Sequence, residues 1–145
     1  MIFLTVEQVI DFHTEIINEL GGAHGIREMG LLISAIEMPK ACMFGEFLHI
    51  SIYDKAAAYL YHIVCNHSFV DGNKRSGLVA TLTFLEVNGV ILEYDENKLE
   101  DLVVKVAEGK ADKTLIADFF HKNHPASQGL EAKDLQETKD LKGTQ

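Results

Sequence analysis

Apolar residues recur at helical spacing through most of the chain, which predicts a series of amphipathic helices. The first helix follows Thr5-Val-Glu-Gln8, which has the spacing of a capping box, and ends at the glycine pair 21–22. Its apolar stripe consists of Val6, Val9, Ile10, His13, Ile16, Ile17 and Leu20. A loop with the sequence GGAHGIREMG leads to a second, short helix over 31–38, which Pro39 ends.

The third predicted helix is the most apolar part of the chain. Ser51 is a candidate N-cap, and residues 52 to about 66 leave little polar face, so we expect this helix at the centre of the core. Residues 40–50, which precede it, are apolar without a clear period. They are compatible with a loop, a turn or a short extended segment.

Three further helices complete the pattern. The fourth ends at Asn88-Gly89, the fifth begins after Asp95 and ends at Gly109, and the sixth covers 113–122. The hydrophobic pattern therefore predicts an all-α fold of about six helices.

From Pro125 onward the sequence is polar and charged, with Leu130, Leu135 and Leu141 as its spaced apolar residues. We expect one domain over 1–124 and a tail over 125–145 that is disordered or weakly helical.

Composition and charge narrow the class of protein. A hydrophobic share of 47% in 145 residues is ordinary for a single globular domain. The net charge of −9 and the lack of a basic stripe argue against direct binding of DNA or RNA. Cys42 and Cys65 have no paired spacing, so neither a disulfide framework nor a zinc site is expected. With no signal peptide and no apolar run of roughly 20 residues, we expect a cytoplasmic protein without a membrane span.

The joint between the third and fourth helices, HSFVDGNKRSG at 67–77, concentrates polar chemistry between two apolar segments. A loop that feeds a helix start leaves backbone N–H groups pointing outward at the positive end of the helix dipole. Gly72 allows a ligand to approach the backbone, and Lys74 and Arg75 add positive charge beside these amides. The pattern is typical of a phosphate-binding site.

Asp71 and His67 add two further functions to this joint. Asp71 provides the kind of carboxylate that holds Mg²⁺ together with substrate phosphates. Histidine side chains have an ordinary pKa of about 6.5, which makes His67 a candidate base for a hydroxyl proton near neutral pH. A plain polar turn is the alternative, but a turn does not require Lys-Arg at a helix start, where the dipole disfavours cations. We therefore predict a phosphate-group transfer site.

The motif HSFVDGNKR resembles HxFx(D/E)(A/G)NK(R), the signature of the Fic/Doc (Fido) family, and most closely that of its Doc branch, the death-on-curing toxins of toxin–antitoxin modules. The segments GGAHGIREMGLL and FLEVNGV are also similar to this branch, and the resemblance covers roughly the first 122 residues. It implies an all-α Fido fold with the motif at a helix N-terminus. It also implies transfer of a phosphate-containing group from ATP to a protein hydroxyl.

The resemblance assigns a role to each motif residue. His67 would be the base for the target hydroxyl, Asp71 would bind Mg²⁺, and Arg75 would clamp phosphates. Gly72, Asn73 and Lys74 would form the anion nest. The tail segment Ser127 to Glu131 partly matches the inhibitory helix of some Fic proteins, but inhibition by a separate antitoxin that inserts a helical segment near the site is the expectation.

Two departures concern the transferred group. The AMP-transferring branch has HPFxxGNGRxxR, whereas here Lys74 replaces the second motif glycine and Leu78 replaces the final arginine. Branch members with this lysine are kinases, so transfer of the γ-phosphate of ATP to a Ser or Thr hydroxyl is expected, with elongation factor Tu as target. AMP transfer and a degenerate, non-catalytic binding module are the alternatives, and a ββα-type nuclease is a distant further hypothesis. Cys65 stands where the branch carries an arginine.

The other histidines give weaker signals. His121 and His124 have the i, i+3 spacing of a metal pair but no carboxylate or cysteine nearby, so a structural role is expected. His13 and His62 are expected to be satisfied core or boundary residues. His24 and His49 lie in loops without an assigned role, and the loop around 21–30 is either a lid or docking element or a simple connection.

Overall fold

A computed structural model describes residues 1–125 of the chain. Six α-helices account for most of this part: α1 Val6–Leu20, α2 Met29–Glu37, α3 Ile52–Asn66, α4 Asn73–Val87, α5 Glu96–Ala107 and α6 Lys113–Lys122. The predicted all-α fold is confirmed. The tail expected from 125 onward, apart from its first residue, lies outside the described residues, so its predicted disorder and the partial match at Ser127 to Glu131 stay predictions.

Local capping sets most helix starts where the sequence places them. Thr5 and Gln8 form the predicted capping box of α1, and Ser51 and Asp54 form a second one at α3. Asp95 accepts from two backbone amides at the start of α5, as predicted. The second helix, Met29–Glu37, starts two residues and ends one residue earlier than the predicted 31–38. It begins directly after Glu28, whose amide donates to the carbonyl of Ser68 in the motif.

Helix α3 is the centre of the core, as predicted from its apolar composition. Tyr59, Leu60 and Ile63 are fully buried, and α2, α4, α5 and α6 all pack around this helix. Helix α4 approaches α3 closely at Gly77, where an added Cβ would lie 2.9 Å from a methyl group of Val64. The two helices that meet at the polar joint are therefore held rigidly against each other.

The segment 40–50, left open by the sequence, is a turn followed by a short hairpin. A 3₁₀ helix, Met38–Lys40, contains Pro39, and strands β1 Cys42–Met43 and β2 Glu46–Phe47 pair in antiparallel register. Positive φ angles of 53° at Phe44 and 82° at Gly45 make the connecting turn one of the tight types that suit hairpins.

The helices of the described part are short compared with the thickness of a membrane. The longest of them, such as α3, have 15 residues, which is fewer than the roughly 20 that cross a bilayer. Within residues 1–125 no helix combines the length and apolar character of a membrane span.

Candidate active site

The loop 67–72 connects α3 to α4 and begins at His67 in the left-handed conformation, with φ 50° and ψ 46°. The His67 side chain is exposed, while its backbone carbonyl accepts a 2.8 Å hydrogen bond from Nε of Arg27. The same guanidinium reaches the carbonyl of Asn66 at 3.5 Å. Arg27 therefore binds the end of α3 at the point where the predicted base leaves the helix.

The loop after α1 pairs with the motif along its backbone. Residues Ile26 and Phe69 form an isolated antiparallel bridge. The amides of Arg27 and Glu28 donate to the carbonyl of Ser68 at 2.7 and 3.1 Å, and the Val70 amide donates to Gly25 at 3.0 Å. This loop is consequently more than a simple connection, because it adds a short extended segment beside the motif loop.

Phe69 anchors the motif loop in the core and is 1% exposed. Asn73, the first residue of α4, holds Phe69 from the other side: its Oδ1 accepts from the Phe69 amide and its Nδ2 donates to the Phe69 carbonyl, both at 3.0 Å. The Asn73 side chain therefore fixes the loop. Its backbone amide is the group that remains for the predicted anion nest.

Asp71 presents its carboxylate on the solvent side of the loop. Oδ2 accepts from the Ala23 amide at 3.1 Å and Oδ1 accepts from the Gly72 amide at 2.8 Å. These two hydrogen bonds, together with the nearby Arg75 guanidinium, lower the pKa of Asp71 below its usual range. The carboxylate is therefore ionised at neutral pH and suited to bind a cation.

Helix α4 begins without a side-chain cap. Its N-cap is Gly72, with φ 80°, and the first intrahelical bond is donated by Ser76 to the Gly72 carbonyl at 2.9 Å. The amides of Asn73, Lys74 and Arg75 consequently have no acceptor within the helix. The side chains of Lys74 and Arg75 are exposed and form no ion pair within residues 1–125. Free amides and free cations together form a strongly anion-attracting surface.

These groups share one open cleft of about 390 Å³. It is lined by Leu20, Gly21, Gly22, Asp71, Gly72, Asn73, Lys74 and Arg75. Five of the six predicted site residues therefore come together in one cavity, and His67 lies outside its lining at the other end of the loop. A cavity of this size is large enough for phosphate groups.

The donor set fits a divalent cation that arrives with its substrate. Asp71 is the carboxylate in the cleft, and the described residues contain no cluster of three or more His, Cys, Asp or Glu side chains that could hold a metal. Mg²⁺ commonly takes one or two carboxylates and fills its remaining positions with phosphate oxygens and water. The single ionised carboxylate beside an anion site matches that pattern.

The sequence did not predict that Arg27 and His13 contact the motif. Arg27 gave no signal, because an arginine in a loop has many possible partners. His13 was expected to be a satisfied core or boundary residue, and this is confirmed: it is 3% exposed and its Nε2 lies 2.7 Å from the Asp71 carbonyl oxygen. The one available signal was an imidazole in the apolar stripe of α1.

The remaining histidines do not line the cleft. His49 and His62 both place Nε2 about 3 Å from Nζ of Lys113, at 3.1 and 3.0 Å. His121 and His124 contact the ring or hydroxyl of Tyr53 at the end of α6, in agreement with their expected structural role. His24 is exposed in the loop after α1.

Comparison with known proteins gives the same family as the motif. A family model described as Fic/DOC family matches residues 3–85. The chain is also 41% identical over 99 residues to a protein named Toxin Doc from Mycolicibacterium smegmatis (strain ATCC 700084 / mc(2)155). The matched region covers 67% of this chain and 76% of the relative. The motif, the helical architecture and both matches lead to one conclusion: the chain belongs to the Fic/Doc family.

Proposed function

We propose that this protein is a Doc-like toxin that transfers the γ-phosphate of ATP to a Ser or Thr hydroxyl of a target protein. The observation that carries the proposal is the shared cleft of Asp71, the free amides of α4, Lys74 and Arg75. Membership of the family and similarity to a protein named Toxin Doc support the toxin and the general class of protein-modifying transferase.

Each residue of the motif has a separate role in the proposed reaction. His67, exposed at the end of α3, takes the proton of the target hydroxyl as its oxygen bonds to the γ-phosphorus. The bond from that phosphorus to the bridging oxygen breaks and ADP leaves. The first-turn amides of α4 and the Lys74 and Arg75 side chains bind the phosphate oxygens and stabilise their charge. Mg²⁺, held by Asp71, would neutralise further phosphate charge.

Phosphoryl transfer is favoured over AMP transfer by two side chains of α4. Lys74 projects an exposed ammonium group at the cleft and occupies space that a glycine would leave for the nucleotide. Leu78, where the AMP-transferring branch has an arginine, packs against the hydrophobic core and offers no charge to a nucleotide. Cys65, where the branch carries an arginine, has no positive charge to offer either. Its thiol donates to the Val106 carbonyl at 3.6 Å.

We propose elongation factor Tu as the target, blocked translation as the result and the cytoplasm as the place of action. An antitoxin that inserts a helical segment is the proposed regulator. Leu20 and Val70, which flank the cleft and the motif loop, are exposed by 63% and 55% and offer apolar contacts to such a segment.

Intact-mass spectrometry of purified elongation factor Tu, incubated with this protein, Mg²⁺ and ATP, tests the proposal. The expected result is a gain of about 80 Da, one phosphate, which is lost with His67→Ala. A gain of about 329 Da would instead establish AMP transfer and reassign Lys74. No change in mass, with the wild-type protein folded and ATP unconsumed, would contradict the enzymatic proposal for this target and favour a binding module.

A further inference from the structure

His13 lies directly beneath the motif loop although it belongs to α1, far from the loop in sequence. Its ring is 3% exposed and stacks face to face on the ring of Phe69, with centroids 3.8 Å apart and planes 5° from parallel. A Cβ built on Gly72 would lie 3.5 Å from two atoms of the same ring. The imidazole therefore fills the space between the loop anchor and the start of α4.

The hydrogen bond of this ring has a defined direction. A backbone carbonyl oxygen can only accept, so the Nε2 atom 2.7 Å from the Asp71 oxygen carries the proton and donates it. In a planar trans peptide the carbonyl and the next N–H point in opposite directions. With the Asp71 carbonyl turned toward α1, the Gly72 N–H is turned away from α1, where it meets Oδ1 of Asp71 at 2.8 Å.

The buried His13 donor thus sets the orientation of the peptide whose N–H binds the exposed Asp71 carboxylate. If the peptide between Asp71 and Gly72 rotated, the Gly72 amide would leave Oδ1, and the carboxylate would lose one of its two backbone donors. The left-handed φ of 80° at Gly72, which starts α4, would also change. A ring without a donor would keep the packing on Phe69 but not the orientation of this peptide.

We infer that His13 is a positioning residue for phosphoryl transfer: through the Asp71 carbonyl it fixes the peptide that aims the Asp71 carboxylate and the first amides of α4. The inference rests on the proposed function for its effect on rate, but its effect on the Asp71–Gly72 peptide is independent of the reaction. Outer partners of this kind commonly contribute factors of about 10 to 100 in metal affinity or activity.

Two variants separate the donor from the packing. His13→Gln keeps an N–H donor of similar reach but loses the aromatic stack, whereas His13→Phe keeps a ring on Phe69 but loses the donor. The first readout is amide hydrogen exchange and the ¹H–¹⁵N shift of Gly72 in the nucleotide-free protein. In His13→Phe we expect this amide to exchange on the order of ten-fold faster, while His13→Gln stays close to wild type.

The second readout is the rate of phosphate transfer at varied Mg²⁺ and ATP. His13→Phe is expected to lower kcat by about 10- to 100-fold and to require more Mg²⁺ for half-maximal rate, with a smaller change in KM for ATP, and His13→Gln is expected to recover most of the rate. Far-ultraviolet circular dichroism and thermal unfolding confirm that each variant is folded.

The outcomes separate the inference from the proposed function. A wild-type Gly72 amide that is unprotected, or one equally protected in His13→Phe, would overturn the positioning role whatever the enzyme does. Equal loss of rate in both variants with Gly72 unchanged would also overturn it, because packing alone would then explain the effect. Inactive wild-type protein with the expected Gly72 response would contradict the proposed function and leave the positioning of the peptide supported.

Discussion

His67 combines the side chain proposed as the base with a costly backbone conformation. Its φ of 50° lies in the left-handed region, which non-glycine residues enter at a cost of roughly 1–2 kcal/mol. Glycine is the usual residue at such a helix C-terminus. The conformation therefore does not favour a histidine at this position, where the Arg27 guanidinium hydrogen-bonds the carbonyl.

Substitution of His67 should therefore separate stability from activity. We expect His67→Gly to be more stable than His67→Ala by about 1 kcal/mol, because glycine adopts positive φ without steric cost. Both variants are expected to lose phosphate transfer. Urea unfolding measures the stability difference.

The neighbouring residue supplies the matched comparison. Asn66 is the last helical residue of α3, so Asn66→Gly should be less stable than Asn66→Ala by up to about 1 kcal/mol, the reverse order. If alanine were the more stable substitution at both positions, the left-handed conformation of His67 would not be a source of strain.

Gly22 and Gly21 provide a second pair at the residue scale. Both have positive φ, 114° and 86°, but a Cβ on Gly22 would lie 2.6 Å from Oδ2 of Asp71, whereas a Cβ on Gly21 meets none of the described atoms within 4 Å. We expect Gly22→Ala to raise the Mg²⁺ concentration needed for half-maximal transfer by roughly ten-fold, because the carboxylate must move. Gly21→Ala should share the backbone cost but not this shift. Equal Mg²⁺ dependence in the two variants would contradict the role assigned to Asp71.

At the scale of elements, the contact between Lys113 and two histidines joins α6 to α3 and to the segment before α3. Burial, followed by the charge of Lys113, lowers the pKa of His49, and the same causes lower the pKa of His62 from 6.5 to about 4. Burial also lowers the pKa of Lys113, which remains the charged member of the cluster at neutral pH. Near neutral pH both rings are therefore neutral and accept from Lys113.

This cluster should make stability dependent on pH in a defined window. A histidine whose folded pKa lies below its unfolded value stabilises the fold above about pH 6.5 and loses that contribution as pH falls toward 4. We expect His62→Gln, whose amide oxygen accepts from Lys113 without binding a proton, to reduce the loss between pH 7 and 4 by on the order of 1 kcal/mol, allowing for the partial exposure of the ring. Chemical denaturation across this range measures the effect.

An exposed histidine outside the cluster controls for the substitution itself. His24 is exposed in the loop after α1 and does not contact Lys113, so His24→Gln is measured beside wild type as the matched substitution outside the cluster. A profile for His62→Gln that coincides with both would show that the Lys113 cluster does not titrate on unfolding.

At the scale of the whole molecule, the buried hydrophobic residues of the described part run from Leu4 to Phe120. We therefore predict that removal of 126–145 leaves the midpoint of thermal unfolding within about 2 °C of the full chain. The transfer rate should also be unchanged, since a separate antitoxin is the proposed inhibitor. A faster truncated protein would instead assign an inhibitory role to the segment Ser127 to Glu131, and a large fall in the midpoint would move the predicted domain boundary.

The sequence alone determined the helices and the membership of the family. Hydrophobic period, Thr5 and Ser51 as caps, and the Asn88-Gly89 stop act within a few residues of chain, so local pattern predicts them. The motif likewise lies within eleven consecutive residues, 67–77, and names its chemistry by residue type.

Only the tertiary structure decided what surrounds that motif. The contacts of Arg27 with His67, of Ala23 with Asp71 and of His13 with the Asp71 carbonyl join residues separated by 40, 48 and 58 positions. No periodicity relates such residues, because their proximity results from how α1, its following loop and α4 pack in three dimensions. The same packing turned the Asn73 side chain toward Phe69 and left its amide for the predicted anion site.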